Sequence, residues 1–412
     1  MSAAILTGAT HGSQLPVEVH ASDVMEKIAR GDDVDYDNAV ITGDIDLSDL
    51  NLPRDEYGST IIASKIRINN SKVKGDLNFA FSKFSNQVSF HGTAFQGNVN
   101  ISDSQFASLA DFGNARFLGQ ADFIMADSSG GWLYLSKSTF SKGASFEDAV
   151  FDVDSYFKSA SFKGEANFRD AIFNGYADLA GCRFYDNASF YRAEFSQETH
   201  FDEARFSNYA NFSESRFKDY AYFIGTDFQG PISLNKTKIA DWMIVWDSID
   251  GHLVYNNAAY QALLQKLWTS GDFDAYDDCY YQYRWQMQLH EPMGIDKILD
   301  ALAWALCGYG VRPLHTVAFG ILLIIFFGII YWKANLAQSL QSDKQTDSLG
   351  HERSKISALE EAMYFSAMMF LTRPPYGLQQ TGRLRYLTII EYISGWLIMA
   401  IFLLVLARMI IL

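Results

Sequence analysis

The sequence predicts a solenoid of stacked β-coils followed by α-helices, two of which are long enough to cross a membrane. Large apolar residues recur at gaps of five and six through the first half of the chain. The apolar spacing becomes helical beyond Val245, and the C-terminal part contains two long runs almost free of charge. These three observations together predict a β-solenoid joined to helical membrane segments.

The charge divides along the chain in the same way. Residues 1–300 contain 24 Lys and Arg against 42 Asp and Glu, whereas residues 301–412 contain 9 against 6. Nucleic-acid binding requires clustered Lys and Arg. The acidic first part therefore argues against a phosphate-binding surface, and we expect no nucleic-acid partner.

Catalytic and cofactor motifs are missing from the sequence. Cys182, Cys279 and Cys307 are too far apart for a disulfide framework or a Cys-x-x-Cys site, and the eight histidines are scattered singly. No His-Glu-x-x-His motif, glycine-rich phosphate loop or serine elbow occurs. We expect this protein not to be an enzyme and to need no cofactor or metal.

The first half of the chain is a repeat. From Ile68 to Leu234 a large apolar residue, most often Phe, appears at alternating gaps of five and six, with one slip near residues 127–131. A small residue precedes most of these positions by two, as Ala166 precedes Phe168. Residues two apart on an extended chain point the same way, so each unit directs one bulky and one small side chain inward. Units this short can form only one side of a coil, and the coils must stack.

Pairs of units have a recurring form, seen in ASFEDAVF, ANFRDAIF, ASFYRAEF and ANFSESRF. In these units the region, roughly 160 residues long, resembles the pentapeptide-repeat family. The resemblance implies a right-handed quadrilateral β-helix with four units per turn, in which residues 22 apart, such as Phe168 and Phe190, form one stacked ladder. The extra residue near Ser128 is then expected to bulge outward, because the ladders would otherwise lose their register.

Some members of that family mimic DNA and block topoisomerases. Between Ile68 and Leu234 this chain has 14 Lys and Arg against 20 Asp and Glu, which is too mixed for a duplex-like field. We therefore expect the phenylalanines to form a structural core. The exterior is then free for an unidentified cytosolic partner rather than for DNA mimicry.

An exposed end of a β-solenoid invites pairing with other strands, so we expect a cover. Ser22 or Asp23 can cap a helix that ends at Gly31, and Ile41 to Leu52 follows as the first coil. The first fifteen residues lack the basic and apolar regions of a cleaved targeting signal. The N-terminal body is therefore expected in the cytosol.

Helical spacing begins beyond Val245. Two stripes of apolar and aromatic residues, separated by Ser270-Gly271, predict a helical hairpin whose aromatic side chains pack rather than hold a cofactor. A third stripe, from Ile295 to Leu306, comes directly before the first uncharged run. We expect this third helix to lie on the membrane surface, with Trp304 as an interfacial anchor.

Two apolar runs have the length of membrane spans. Pro313 to Trp332 is free of charge, and Tyr386 to Leu412 contains only Glu391 and Arg408. Two spans place the C-terminus on the same side as the N-terminal body, which we expect to be the cytoplasmic side of a prokaryotic inner membrane. The loop between the spans contains seven Lys and Arg, against the positive-inside rule. The orientation therefore rests on the missing targeting signal.

The loop between the spans contains a shorter apolar segment, Ala358 to Leu371, followed by TRPPYG. Span, short re-entrant helix, threonine-to-glycine turn and second span resemble the two-transmembrane pore module of potassium channels. The resemblance covers roughly residues 313–412. It implies four subunits around one pore, filter carbonyls that remove the water of the ion and an inner-helix glycine that acts as a hinge. By resemblance these filter and hinge roles fall on Thr372, Tyr376, Gly377 and Gly395.

The predicted filter departs from that family at its centre. Potassium channels have Thr-Val-Gly-Tyr-Gly, whereas this chain has Arg373, Pro374 and Pro375 before Tyr376 and Gly377. Pro375 replaces a glycine whose positive φ turns carbonyls towards the ion, and proline is fixed near a φ of about −65°. We therefore do not expect potassium selectivity.

Two ionisable positions each leave two interpretations open. Arg373 forms a ring of positive charge if it faces the lumen, or it is held behind the filter by Glu360 or Glu361. Glu391 is a functional candidate because it is ionisable within an apolar run. Alternatively, Glu391 meets lipid headgroups or pairs with Arg385 near the start of the helix.

The sequence thus predicts an oligomeric ion channel, a tetramer by resemblance, whose partners are inorganic ions and the lipid bilayer. In the same resemblance Ser366 supports the pore helix. The alternative is a membrane-anchored scaffold in which the repeats bind a partner and the pore-like region does not conduct. The predicted domains are an N-terminal tail with a capping helix (1–38), the β-helix (39–250), a helical hairpin linker (251–293), an interfacial amphipathic helix (294–312) and a two-transmembrane pore domain (313–412).

Overall fold

The computed structural model describes residues 15–128, 130–342, 355–372 and 384–411. The chain divides into two compact units, Met1–Gln261 and Ala262–Leu412. The first unit is a β-solenoid of about ten turns, and the second unit is helical.

The strands of the solenoid are short and parallel. The first are β1 (Val17–His20), β2 (Val34–Asp37), β3 (Ala39–Thr42), β4 (Ile45–Asp46), β5 (Thr60–Ile62), β6 (Ile66–Asn69), β7 (Lys72–Val73), β8 (Leu77–Asn78), β9 (Ser82–Phe84), β10 (Val88–Ser89), β11 (Ala94–Phe95) and β12 (Val99–Asn100). They are followed by β13 (Gln105–Phe106), β14 (Ala110–Asp111), β15 (Arg116–Phe117), β16 (Ala121–Asp122), β17 (Leu133–Tyr134), β18 (Thr139–Phe140), β19 (Ala144–Ser145), β20 (Val150–Phe151), β21 (Ser155–Tyr156), β22 (Ser161–Phe162), β23 (Ala166–Asn167) and β24 (Ile172–Phe173). The last are β25 (Ala177–Asp178), β26 (Arg183–Phe184), β27 (Ala188–Ser189), β28 (Glu194–Phe195), β29 (Thr199–His200), β30 (Arg205–Phe206), β31 (Ala210–Asn211), β32 (Arg216–Phe223), β33 (Asp227–Phe228), β34 (Ile232–Ser233) and β35 (Lys238–Ile244).

Phenylalanine ladders fill the interior of the solenoid. Residues 22 apart pair in register, as Phe162 pairs with Phe184. Phe168 stacks on Phe146 and on Phe190 with ring centroids 4.8 and 4.9 Å apart. The large residues that the sequence predicts to point inward are buried, and so are the alanines two positions before them. The predicted stacking of coils around one bulky and one small side chain per unit is therefore confirmed.

Every second unit turns through a corner with left-handed backbone. From Asn70 to Lys236 these corners recur every eleven residues, except for one interval of twelve between Met125 and Lys137, and Gly143 adds a positive φ outside the series. Few of these corners are glycine, although a side chain in this region of φ is strained unless it is Asn or Asp. The corners therefore take their shape from the ladders on either side rather than from local preference.

The predicted slip in the repeat lies at residues 127–131. Across it the ladder spacing becomes 23 residues, as between Phe117 and Phe140, whose rings still stack at 4.7 Å. Ser128 is buried, Gly130 is exposed, and residue 129 lies outside the described residues. The register is kept, but the Ser128 side chain does not point outward.

The ladders begin before residue 39 and continue past residue 250. The strand β1 pairs with β3, and β2 pairs with β6, while Ile232 bridges to Leu253. The helix α1 (Ala21–Arg30) packs on the first strands and buries Val24 and Ile28. It ends at Gly31 as predicted, with a φ of 76°, but it begins after His20, so the predicted cap by Ser22 or Asp23 is wrong.

The second unit contains helices in the order predicted from the sequence. They are α2 (Asn257–Ser270), which starts at the end of the first unit, α3 (Phe273–His290), α4 (Ile295–Cys307), α5 (Pro313–Ser342), α6 (Lys355–Leu371) and α7 (Leu384–Ile411). Gly271 separates α2 from α3 with a φ of 76°, and the Asp272 side chain caps α3. The apolar stripe of α4 is exposed, with Ile295 77% and Ile298 62% accessible.

Candidate functional site

Two helices of the second unit are long and apolar enough to cross a membrane. The candidate spans are Pro313–Ala334 in α5 and Arg385–Arg408 in α7, each with a mean hydropathy of 2.3. A helix in the core of a soluble protein buries most of its apolar surface, whereas Leu322 and Trp396 are 62% and 60% exposed here. These two surfaces suggest association with a membrane.

The contacts of α6 with α5 set its direction. Ala362 is buried beside Phe327 and Tyr331. Two turns further along α6, the Phe370 ring lies 3.4 Å from the position of a β-carbon on Gly320. Residue numbers therefore fall along α5 as they rise along α6, and these two helices are antiparallel.

The contacts of α6 with α7 run in the opposite sense. Ser366 meets Glu391, and Phe370 meets Gly395 one turn further along both helices. The C-terminal end of α6 thus lies beside a point eleven residues beyond Leu384, where α7 begins. At 1.5 Å per residue this point is about 16 Å along α7, near the middle of its apolar span.

A buried polar cluster fixes α6 between the two long helices. Glu391, Ser366 and Tyr331 have no solvent-exposed surface. Tyr331 donates a hydrogen bond of 2.6 Å to Glu391 Oε2, and the Ser366 hydroxyl lies against Glu391 Oε1. Ser366 Oγ is also 2.8 Å from the carbonyl oxygen of Ile324 on α5. One carboxyl group therefore joins all three helices.

The cluster has two close contacts at a single hydroxyl group, that of Ser366. The Ser366 hydroxyl has one proton, yet it lies within hydrogen-bond distance of both the Ile324 carbonyl and Glu391. A carbonyl oxygen cannot donate, so the Ser366 hydroxyl either shares its proton between the two oxygens or donates to Ile324 and accepts from a protonated Glu391. A neutral carboxyl group also avoids the cost of a charge buried among apolar helices.

Two glycines, whose contacts lie on either side of Ser366 along α6, allow the helices to approach closely. A β-carbon on Gly395 would overlap the carbonyl oxygen of Phe370 and lie 3.0 Å from its carbonyl carbon. A β-carbon on Gly328 would overlap the sulfur of Met363. Small residues at such crossings are typical of helix packing in membranes. Gly395 lies within the continuous helix α7, where its observed role is close packing against α6.

A second cluster joins the ends of both long helices to α3. Arg408 near the end of α7 lies 2.5 Å from Asp277 and donates to the Gly310 carbonyl at 2.9 Å. Arg312, directly before α5, lies 2.6 Å from Asp278. Adjacent aspartates of α3 therefore hold one arginine from each apolar helix. We call these two ion pairs the α3 clamp.

The surroundings of the α3 clamp are partly dry. Burial raises the pKa of Asp277, and Arg408 acts in the opposite direction by favouring the carboxylate. Burial also raises the pKa of Tyr309 to about 12, and its hydroxyl donates a hydrogen bond of 2.5 Å to Gln288 of α3. The Asp277–Arg408 pair is therefore screened less by salt than a surface pair, whereas Arg312 and Asp278 are more exposed, at 43% and 45%.

Comparison with known protein families identifies the repeat. A family model described as pentapeptide repeats matches the chain in nine copies, with matched ranges 105–150, 135–183, 146–194, 179–227 and 190–238. Residues 105–238 of the solenoid are pentapeptide repeats. Every matched range ends before the helical unit begins, and no curated protein and no solved structure matches the chain.

The residues predicted for the filter fall at the edge of what the structure describes. Thr372 has an exposed side chain whose hydroxyl donates to the Met368 carbonyl at 3.0 Å. The other five predicted filter residues lie outside the described residues, namely Arg373, Pro374, Pro375, Tyr376 and Gly377. Glu360 and Glu361 have exposed side chains on α6. Their predicted pairing with Arg373 stays a prediction.

The structure brings Ser366 and Glu391 together and corrects the expectation for Glu391. Its carboxyl group neither reaches the surface at headgroup level nor pairs with Arg385, because it is enclosed between α5 and α6. Trp304 stays a predicted interfacial anchor. Its indole N–H donates to the Tyr281 hydroxyl at 2.9 Å, within the helical unit.

Sequence reasoning missed Tyr331, Asp277 and Asp278. Tyr331 falls at the end of the first apolar run, where the only signal is that a tyrosine hydroxyl beside an apolar run needs a partner. Asp277 and Asp278 are adjacent on α3, whereas Arg312 precedes the first candidate span and Arg408 ends the second. No spacing in the sequence links these acids to these bases. Among the described residues, no cluster of His, Cys, Asp or Glu could hold a metal ion.

Proposed function

We propose that this protein is an oligomeric ion channel with a pore resembling that of potassium channels, but with an altered filter that does not select potassium. In this proposal α5 and α7 cross the membrane, α6 is a re-entrant pore helix, and Thr372 to Gly377 line the narrowest part of the pore. The permeant species are inorganic ions.

The observation that carries the channel proposal is the position along α7 at which α6 ends. Phe370 lies beside Gly395, about 16 Å along α7, yet only residues 372–383 connect α6 back to the start of α7. Residues 372–383 therefore connect a point beside the middle of the apolar span with the start of that span. Irregular backbone at that depth is tolerated only where protein or a water-filled cavity covers it. A pore formed by several copies supplies that cavity.

The composition of the α6 surface supports an assembly of several chains. Three helices of one chain do not enclose a channel, and aromatic side chains such as Tyr364 are left exposed, 66% in this case. In the proposed assembly four copies surround the axis, the number implied by the resemblance. The C-terminal end of each α6 then points its partial negative charge at the central cavity.

The α3 clamp supports the proposed sidedness. Arg312 and Arg408 both meet α3, so the first apolar helix starts and the second ends near the same helix. Two spans with these ends on one side place the pentapeptide repeats and the C-terminus together. We assign that side to the cytoplasm and the membrane to a prokaryotic inner membrane.

The pentapeptide-repeat solenoid is proposed to act as a cytosolic assembly or regulatory domain. Its four strands per turn suit the quadrilateral cross-section implied by the family, which gives a stiff rod rather than a flexible tether. A signal received by such a rod would reach the pore through α3, because the α3 clamp holds both apolar helices.

Purified protein reconstituted in planar bilayers tests this proposal. Under a KCl gradient we expect single-channel currents whose reversal potential lies away from the equilibrium potential of potassium. Arg373→Ala should move the reversal potential towards cation selectivity if Arg373 forms a ring of charge in the lumen. Arg353→Ala, which removes a positive charge from the same loop outside TRPPYG, serves as the matched control and should leave it unchanged.

The alternative function is a membrane-anchored scaffold. Correctly assembled oligomers that never conduct in these bilayers, whatever the voltage or ionic composition, would contradict the channel and favour the scaffold. A reversal potential equal to the equilibrium potential of potassium would contradict only the proposal that the altered filter does not select potassium. A rotational axis through residues 372–377 in images of the purified particle would support the pore independently of conduction.

A further inference from the structure

One face of the pentapeptide-repeat solenoid carries a row of aromatic side chains on its outer surface. The strands β17, β21, β25, β29 and β32 follow one another there in register. We call this row the aromatic strip, and its members are Trp132, Tyr134, Tyr156, Tyr176, His200 and Tyr222. The strip crosses five turns of the solenoid.

The rings of the aromatic strip are held in fixed positions by one another. Tyr134 stacks on Tyr156 with centroids 4.7 Å apart, and His200 stacks on Tyr222 at 4.3 Å. Tyr176 lies 5.2 Å from His200. Trp132, at the end of the strip, is 52% exposed. Rings fixed in this way offer hydroxyl groups and ring edges to a partner with little further loss of side-chain entropy.

Carboxylates alternate with the rings. Asp154 accepts a hydrogen bond from the Tyr156 hydroxyl at 3.2 Å, and Asp178 occupies the position paired with Tyr156 one turn later. Glu198 is exposed two residues before His200. The ten outward positions of these five turns, 132 and 134 through 220 and 222, include no Lys or Arg.

The three middle turns of the strip place the acids Asp154, Asp178 and Glu198 at outward positions, and Glu198 is the exposed one. Burial first, and then Asp178 and other nearby carboxylates, raise the pKa of Tyr176 to about 12. Phosphate-bearing partners are repelled by such a surface, whereas guanidinium and ammonium groups donate hydrogen bonds to carboxylates and pack on an exposed indole ring. The charge of the strip therefore selects a cationic partner.

We propose that the aromatic strip binds an extended peptide segment of a partner protein that is rich in Arg or Lys. Five turns about 4.8 Å apart give a flat surface about 19 Å long, which matches roughly six residues of extended chain. Alternate residues of an extended peptide point to one face, so an alternating sequence can present all its cations to the strip. This interaction is independent of ion conduction and goes beyond the proposed channel.

The test measures binding of a labelled peptide to the full-length protein in non-ionic detergent. A fluorescein-labelled (Arg-Ser)6 peptide is titrated by fluorescence polarisation at about 150 mM NaCl, where long-range attraction is screened. Asp154→Asn combined with Glu198→Gln should weaken binding about tenfold. Trp132→Ala should weaken it severalfold without any change in charge.

The matched control removes two carboxylates from another sheet of the same solenoid. Glu147 and Glu165 flank β19 and β23, which do not belong to the strip. Glu147→Gln combined with Glu165→Gln should leave the peptide affinity within about twofold. Circular dichroism verifies that each variant keeps the β-solenoid, and Trp132→Ala decides the question if the doubly neutralised strip does not fold.

Three results would overturn the proposal. The peptide could fail to bind at this salt concentration, or both pairs of neutral variants could weaken binding equally, which would reveal only a diffuse acidic field. Strip variants could instead change the mass of the solubilised oligomer, which would make a second copy of this chain the occupant. Peptide binding lost only in the strip variants, with unchanged oligomeric mass, supports the proposal.

Discussion

At the scale of single residues, Glu391 is the most constrained position of the helical unit. Its two carboxyl oxygens meet Tyr331 and Ser366, and no part of it reaches solvent. Ionisable groups inside apolar spans are costly and are retained where they bind or position something. Here the group positions α6, on which the proposed filter depends.

We predict that Glu391→Gln preserves the assembled protein and that Glu391→Ala does not. The amide can accept from Tyr331 and donate to Ser366, as a protonated carboxyl would, whereas alanine leaves both hydroxyl groups without this partner. Each unsatisfied buried group costs about 1–3 kcal/mol. The measurement is the thermal unfolding midpoint in detergent, with Glu360→Ala on the exposed side of α6 as control. A midpoint for Glu391→Ala equal to that of the wild type would contradict this role.

We predict that two corner aspartates respond to pH with opposite signs. Asp170 accepts two hydrogen bonds of 2.6 Å from Arg192, which hold its pKa below the ordinary value. Its stabilising effect is present above the unfolded pKa and is lost as pH falls through the lower folded pKa. Burial raises the pKa of Asp103, so its ionisation destabilises the fold as pH rises through the folded pKa.

Asn variants measure the two pH dependences without backbone strain, because Asp170 and Asp103 both have left-handed backbone that Asn adopts readily. Asp170→Asn should lower the free energy of unfolding at pH 7 and have a smaller effect below about pH 4. Asp103→Asn should be near neutral in acid and stabilising at pH 7. Equal pH profiles for the two variants would show that neither the Arg192 contact of Asp170 nor the burial of Asp103 affects the free energy of unfolding.

At the scale of elements, the α3 clamp is the connection that the sequence alone did not reveal. Asp277 and Arg408 are 131 residues apart, and charged residues at such separations give no pattern that predicts a pair. The helices themselves were predictable, because each has its own apolar spacing and Gly271 stands between α2 and α3. Which helix meets which depends on tertiary packing, and neither periodicity nor composition encodes that.

We predict that the two partners of the clamp are energetically coupled. Asp277→Asn and Arg408→Gln should each destabilise the helical unit, and the double variant should cost less than the sum by about 0.5–3 kcal/mol. In bilayers the same variants should change open probability without changing the reversal potential, since they lie far in sequence from TRPPYG. Additive effects in the cycle, or an altered reversal potential, would contradict the assignment of the clamp to coupling.

At the scale of the whole molecule, the solenoid was predictable almost residue by residue because its period is dense. Each coil repeats the same inward pair, so Phe168 and Ala166 are identified by many equivalents along the chain. The corners were not predictable, because Phe81, Met125 and Lys137 share no chemistry that favours positive φ. Their conformation is imposed by ladders on both sides. The proposed pore comes from resemblance alone, and the contact that supports it, Phe370 with Gly395, depends on three-dimensional packing.

We predict that the solenoid tolerates loss of one complete turn but not of a partial one. Deleting residues 156–177 removes 22 residues and joins positions that are equivalent in the ladders, which pair residues 22 apart. Deleting residues 156–176 removes one residue fewer and turns every following side chain to the wrong face. Circular dichroism and limited proteolysis should show a folded rod for the first variant and a cut or aggregated one for the second. Similar behaviour of the two would contradict the ladder model.

The thermal stability of the solenoid can be increased at its left-handed corners. Met125 has a φ of 53°, in a region where L-residues other than Asn and Asp pay about 1 kcal/mol or more. Met125→Asn should therefore raise the melting temperature, and similar exchanges at Lys137 and Glu214 should add to it because these corners lie far apart in sequence. A chain that grows by repeating one coil accumulates such increments, one at each corner that is not already Gly, Asn or Asp.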